Sequence, residues 1–289
     1  MADGPIIFRR CFLIVLTLSV TLLCGCSGLD YDSNPLSISF SLGYSIDATT
    51  KAPINNVDDL DPIQILRADG SADFSTHTAP DFTGTVNASG IVTPSISQFY
   101  KLDGTTSYFL SFYPQAYTIS SGVVNFRITG QEDVCASQAK QGSMYNNNTI
   151  AFAFQHLLSQ VHFKVVAENA AAVAGWGTLT YITVNSPTSL DLDLTTPTDP
   201  LTANAVPMNV DLPSSIGGSA SQTLTTTAVS AGTVMIPVGN YPPLQIKVKT
   251  SLISEKTVST KLWYLGKGRV YTLRLTFDDN LTTITVTKE

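Results

Sequence analysis

Charge is scarce in this chain. Lys, Arg, Asp and Glu make up 13% of its 289 residues, 16 basic against 22 acidic, for a formal net charge of −6. That is about half the ~25% charged content of ordinary soluble domains. No stretch groups Lys and Arg, which excludes nucleic acid as a partner, because phosphate backbones are held by clustered basic side chains. Long apolar runs are also missing. The best candidate, 11–23, falls short of the ~20 residues that a comfortable membrane-spanning helix needs. Helical composition is confined to Asn169-Ala170-Ala171-Ala172-Val173-Ala174, one or two turns ended by Gly175. Histidine appears only at His77, His156 and His162, and no G-x-S-x-G, H-E-x-x-H or phosphate-loop motif is present, so no hydrolase or nucleotide site is expected. No cofactor and no metal are expected either. Cysteine occurs at positions 11, 24, 26 and 135 only. With the first three near the N-terminus, Cys135 has no partner for an internal disulfide and reads as a small buried residue.

What the sequence does contain begins with an export signal. Arg9 and Arg10 form a positive n-region ahead of the short apolar h-region, and Leu23-Cys24-Gly25-Cys26 resembles a bacterial lipobox, with a small residue before the cysteine to be acylated. The expectation is a signal peptide over 1–25 and a mature chain anchored in the membrane by lipid on Cys26. An ordinary secretory signal with an incidental cysteine is the alternative.

The next segment, 36–46, alternates without a break. Leu36, Ile38, Phe40, Leu42, Tyr44 and Ile46 share one face, and Ser37, Ser39, Ser41, Gly43 and Ser45 share the other. Strand side chains alternate with period two, so this is a strand with one buried and one wet face. Burial of a large apolar side chain is worth about 1.5–3 kcal/mol, which puts the six at roughly 9–18 kcal/mol gross. A strand so patterned fills a groove. Lys51, a basic residue, follows shortly in the loop Thr49-Thr50-Lys51-Ala52-Pro53, where a protease cutting the chain would separate this strand from the rest.

Downstream, Thr, Ser and Val are abundant, and turn-forming clusters such as Asn87-Ala88-Ser89-Gly90, Asp103-Gly104 and Ser120-Ser121-Gly122 punctuate short apolar runs, including 91–102. Strands with turns every 8–12 residues argue for β-sandwiches. The polar, Gln- and Asn-rich segment 131–148 reads as a long loop and a domain boundary, giving units at 52–148 and 149–289 with 26–51 as anchor and removable strand. In the second unit, Phe152, Phe154, His156 and Leu158 alternate on even positions and Val161, Phe163 and Val165 on odd ones. That parity change predicts a β-bulge near Leu158-Ser159-Gln160.

Several short motifs resemble those of the fimbrillin family, the lipoprotein pilins of Bacteroidetes. Phe152-x-Phe154-x-His156-x-Leu158-Ser159-Gln160-Val161-His162-Phe163-Lys164-Val165 is similar to that family's F-x-H-x-L-[SA]-x-V-x-F-x-V strand. Leu110-Ser111-Phe112-Tyr113-Pro114, Met235-Ile236-Pro237 with 244–248, and the hairpin 265–273 follow in the family's order. The resemblance implies an all-β chain of two transthyretin-like β-sandwich domains in tandem, and a structural pilus subunit at the outer membrane that supports adhesion. Its implied partners are other pilin subunits, the outer membrane and a maturation protease. It further implies cleavage at Lys51-Ala52, with Arg67-Ala68 ranked second, and release of the strand bearing Leu36, Ile38, Phe40, Leu42, Tyr44 and Ile46. The emptied groove would take a strand from a neighbour, here 281–288 with Ile284 and Val286 as the inserted side chains.

Other residues carry blander readings. Asp58, Asp59 and Asp61 lack the spaced pattern of a calcium loop. Asp191 and Asp193 alternate with Leu190, Leu192 and Leu194 and form the wet face of a strand. Trp176, Trp263 and Tyr264 offer the alternative of a non-catalytic surface lipoprotein that binds glycans by stacking.

Overall fold

The computed structural model describes residues 35–44, 56–199, 201–210, 212, 221–241, 243–260 and 263–289. In the first half, strands run at Phe40–Tyr44 (β1), Ile63–Asp69 (β2), Phe82–Val86 (β3), Ile91–Pro94 (β4), Ser107–Tyr113 (β5), Thr118–Ser120 (β6), Val123–Arg127 (β7), Cys135–Ser137 (β8), Lys140–Gly142 (β9) and Ile150–His156 (β10). The second half begins with Leu158–Ala167 (β11), the helix Ala170–Trp176 (α1) and Thr178–Asp193 (β12). Thr202–Asn209 (β13), Gln222–Thr223 (β14), Val229–Pro237 (β15), Gly239–Tyr241 (β16) and Gln245–Thr250 (β17) come next. Lys256–Ser259 (β18), Trp263–Leu265 (β19), Val270–Phe277 (β20) and Ile284–Lys288 (β21) complete the order.

The all-β expectation holds. The architecture, however, includes a closed ring that the strand pattern did not announce. The eight-stranded sheet has the order β2-β3-β4-β1-β10-β8-β5-β9, and β2 also pairs with β5, which closes it into a barrel. Its interior holds Ile38, Phe40, Leu42, Ile63, Ile65, Phe82, Val92, Phe109, Ile150, Phe152 and Phe154, all buried. A four-stranded sheet (β15-β11-β20-β21) and a seven-stranded sheet (β18-β17-β12-β7-β6, with β13 and β14 also on β12) share a second, larger hydrophobic cluster. Strand β5 serves both cores: Phe109 lies in the barrel cluster, and Leu110 and Phe112, on the opposite face, lie in the larger one.

Three expectations change. The parity switch after His156 is not a bulge within one strand. β10 pairs with β1 and β8 in the barrel, Leu157 sits between strands, and β11 pairs with β15 and β20 in another sheet. The chain changes sheet at Leu157, so its buried face changes as well. Segment 131–148 is not a bare loop: β8 and β9 lie inside it and pair with β5, and β8 also pairs with β10. Pairing crosses residue 148 both ways, because β10 joins first-half strands while β6 and β7 join the sheet of β12. The strand expected over 91–102 stops at Pro94, leaving Ser37 and Phe99 as an isolated bridge. Helix α1 is where the alanines placed it. It runs one residue beyond Gly175 to Trp176, with Asn169 Oδ1 accepting from Ala172 N at 3.1 Å and Gly177 taking φ 74° as the cap.

Candidate functional site

The opening strand is built into the barrel on both edges. β1 runs parallel to β10, Phe40 opposite Ile150 through Tyr44 opposite Phe154, and antiparallel to β4 at Phe40–Val92 and Ser41–Ile91. Four backbone hydrogen bonds extend the seam: Ile150 N to Ser39 O (2.9 Å), Leu42 N to Gly90 O (2.7 Å), Ile38 N to Gln98 O (2.9 Å) and Tyr100 N to Leu36 O (3.1 Å). The face read from sequence is the face observed. Ile38, Phe40 and Leu42 are buried, Leu36 is half-buried against the same cluster, and Ser37, Ser39 and Gly43 are exposed. Phe40 is the keystone, with ring centroids 5.2 Å from Phe109 edge-on, 5.7 Å from Phe82 and 6.0 Å from Phe152 in a stack. The three fully inserted side chains stabilise the barrel by about 5–9 kcal/mol gross. Without β1, the facing edges of β4 and β10 would be unpaired and an apolar slot would open between them.

Sequence reasoning missed one residue that shapes this seam. Gly90 takes φ 74°, and a Cβ there would lie 2.6 Å from the Leu42 carbonyl oxygen, so only glycine lets the Asn87–Gly90 turn approach β1 this closely. The signal was the Asn-x-x-Gly turn itself, whose neighbour on the far side could not be read from spacing.

Other expected site residues fall in different places. Cys26, Ile46, Lys51 and Ala52 lie outside the described residues, as does the Tyr44 side chain. Arg67 belongs to β2, with Arg67 opposite Phe109 and Ala68 opposite Tyr108. Its guanidinium donates to Asp69 (3.1 Å), Gln98 (3.0 Å) and Ser107 (3.1 Å), which ties the second-ranked cleavage position into the barrel wall. Asp59 and Asp61 use carboxylate oxygens to accept from Asn56 N (2.9 Å) and Val86 N (3.2 Å). Trp176 is buried, donates its Nε1–H to Asp278 O at 2.6 Å and packs edge-on to Phe277, so it is core and not a stacking platform. Asp191 and Asp193 are exposed and Leu190, Leu192 and Leu194 buried, as the alternation required.

The comparisons agree on the kind of chain this is. The fimbrillin-like family model matches residues 50–289. The chain belongs to the fimbrillin-like family. Solved structures share the fold at low identity. A candidate cell adhesion protein of Bacteroides uniformis aligns at TM-score 0.57 and 15% identity, covering 88% of this chain and 96% of that one. One from Bacteroides ovatus gives 0.57 and 15%, with 89% and 96% covered. A fimbrial protein of Bacteroides vulgatus gives 0.50 and 13%, with 87% and 98% covered. No curated protein sequence matches.

In this fimbrillin-like chain the C-terminal strand is an edge. Among the described residues, β21 pairs only with β20 in its sheet, from Phe277–Ile284 to Leu273–Lys288. Ile284 is buried and Val286 half-buried against the larger cluster, and Thr285 and Thr287 face outward. Its ends are fastened by Asp278, which accepts from Thr282 N and Thr283 N at 3.0 Å each, and by Glu289, which pairs with Lys164 at 2.7 Å. Burial alone would push the Asp278 carboxyl up, but hydrogen bonds from Thr283 and Thr282 outweigh it and hold its pKa below the usual value.

Proposed function

We propose that this chain is a structural pilus subunit with an adhesive role, exported as a lipoprotein and polymerised by protease-triggered strand exchange. Family membership and the fimbrial and cell adhesion neighbours support the pilus or adhesin role at the cell surface. The observation that carries the exchange mechanism is the placement of β1, a stave of the barrel paired on both edges, with Lys51 a few residues beyond it in the sequence. The family match begins at residue 50, past β1, which fits a strand that the finished subunit does not keep. On this reading the barrel is the acceptor and the remainder, a sandwich of the transthyretin type around β11 and β12, carries the donor β21. Backbone pairing would give general affinity, and the pockets of Ile38, Phe40 and Leu42 would set register. Anchorage in this proposal rests on lipid at Cys26, the cysteine of the lipobox-like Leu23-Cys24-Gly25-Cys26. The glycan-stacking alternative loses Trp176 to the core.

Two measurements check the reading in cells. The N-terminal residue of the protein sheared from the cell surface should be Ala52; an N-terminus at Cys26 on the assembled form would sink the cleavage step. Cys26→Ser should abolish lipid labelling and release the chain from membranes, since a multiply acylated cysteine is the only firm anchor proposed. Continued labelling of that variant would remove the lipoprotein assignment.

A further inference from the structure

Cys135, the one cysteine outside the N-terminal segment, does not sit alone. Strand pairing places Cys135 on β8 directly opposite His156 on β10, and Asp133 lies two residues before Cys135. Cys135 Sγ is 3.5 Å from His156 Nδ1, and the same Nδ1 is 2.5 Å from Asp133 Oδ2. The three ligand atoms lie within 4.8 Å of one another, and among the described residues no other trio of His, Cys, Asp or Glu is so grouped. All three residues are buried, Asp133 at 1% exposure, and Asp133 Oδ1 has no hydrogen-bond partner. A buried carboxylate oxygen without a partner costs free energy unless something occupies it.

The arrangement is not that of a nucleophilic thiol. A Cys–His–Asp catalytic group places thiol and carboxylate on opposite ring nitrogens, so that one orients the base for the other. Here both face Nδ1. Burial pushes the Cys135 thiol well up, with the neighbouring Asp133 charge adding to it, and burial also raises the Asp133 carboxyl against the pull of His156. Two acidic groups are thus held beside a histidine, out of water.

We infer that Asp133, Cys135 and His156 form a structural site for a divalent transition metal, zinc by preference, at the β8–β10 seam. Thiolate, imidazole and carboxylate are the donors zinc favours, and a tetrahedron with Zn–S near ~2.3 Å and Zn–N near ~2.0–2.1 Å has an S···N edge of about 3.5 Å. The Cys135–His156 separation already matches. The Asp133–His156 contact is shorter than an N···O edge of roughly 3.4 Å, so the carboxylate swings by about 1 Å as the metal replaces that hydrogen bond. Asp133 then chelates through both oxygens, the orphaned Oδ1 included, and these share one vertex of the shell beside Sγ and Nδ1. One thiolate and one carboxylate neutralise a dication, which is the charge balance a buried site requires. Binding releases two protons to solvent: the thiol proton and the one shared between Asp133 and His156. The ion would fasten β10, the wall on which β1 lies, to β8.

Cobalt(II) is the probe, because a thiolate ligand gives it a near-ultraviolet charge-transfer absorption. The full-length chain, stripped of metal and refolded with cobalt(II), should bind one ion through Cys135 and show that absorption. Zinc should displace it stoichiometrically. The absorption should survive Cys26→Ser and vanish in Cys135→Ser, and Asp133→Asn should weaken binding at least tenfold. Absence of the absorption in refolded wild type, or its persistence in Cys135→Ser, would overturn the site. Unchanged affinity in Asp133→Asn would overturn the three-ligand assignment.

Discussion

Cutting the purified protein after Lys51 is expected to turn a monomer into large oligomers. The intact chain satisfies the barrel with its own β1, whose removal exposes the backbone of β10 from Ile150 to Phe154 and of β4 at Ile91 and Val92, together with an apolar slot. An open edge of this kind recruits a strand from another chain. Native-state trypsin should spare Arg67, whose peptide is paired along β5 and whose guanidinium is engaged by Asp69, Gln98 and Ser107. Size analysis after digestion should therefore show wild type moving to high mass and Lys51→Ala remaining monomeric. A chain truncated after Asp279, checked for native far-UV signal, should be cut yet fail to assemble. If the cut wild type stays monomeric at high concentration, the subunit is not a propagating acceptor. If the truncated chain polymerises as well as wild type, β21 is not the donor.

Phe40→Ala is expected to weaken the uncut protein by about 3–5 kcal/mol, the usual cost of deleting a fully buried aromatic ring. Phe40 is 3% exposed and touches three other phenylalanines, so no nearby side chain is left to refill its place. For a chain of this size that corresponds to a fall in Tm of roughly 10 °C. Cleavage at Lys51 should also speed up, because β1 leaves its seam more often. On the proposed exchange the processed, assembled form would lack residue 40, and its stability should equal that of wild type. Equal loss in both forms, measured by thermal denaturation before and after processing, would mean that β1 is retained.

The sequence was legible where one side chain decides one contact. β1 declares itself because its period-two pattern spans eleven residues, and the burial of Ile38, Phe40 and Leu42 follows directly. Its neighbours were not legible. β10 lies more than a hundred residues downstream and pairs in parallel, a relation that no local turn encodes. The parity change at Leu157 was visible but ambiguous, since a bulge and a change of sheet both invert the buried face. β8 and β9 escaped because they are three residues each, with polar neighbours, too short to establish a period. The Asp133–Cys135–His156 group was hidden for a related reason. Only the register of β8 against β10 brings position 156 to position 135.

Because β1 is covalently tethered beside its groove, a competing strand from another molecule faces a rival at an effective concentration in the millimolar range. Severing the tether at Lys51 removes no contact in the seam. It demotes the resident strand to a free ligand that must compete at bulk concentration. A thousandfold dilution of this kind is worth about 4 kcal/mol. That is close to what the ring of Phe40 contributes, and the backbone does not need to move to gain it. On the proposed exchange, the onset of assembly would be set by a covalent event, and the same subunit could accumulate at high concentration beforehand without joining its neighbours.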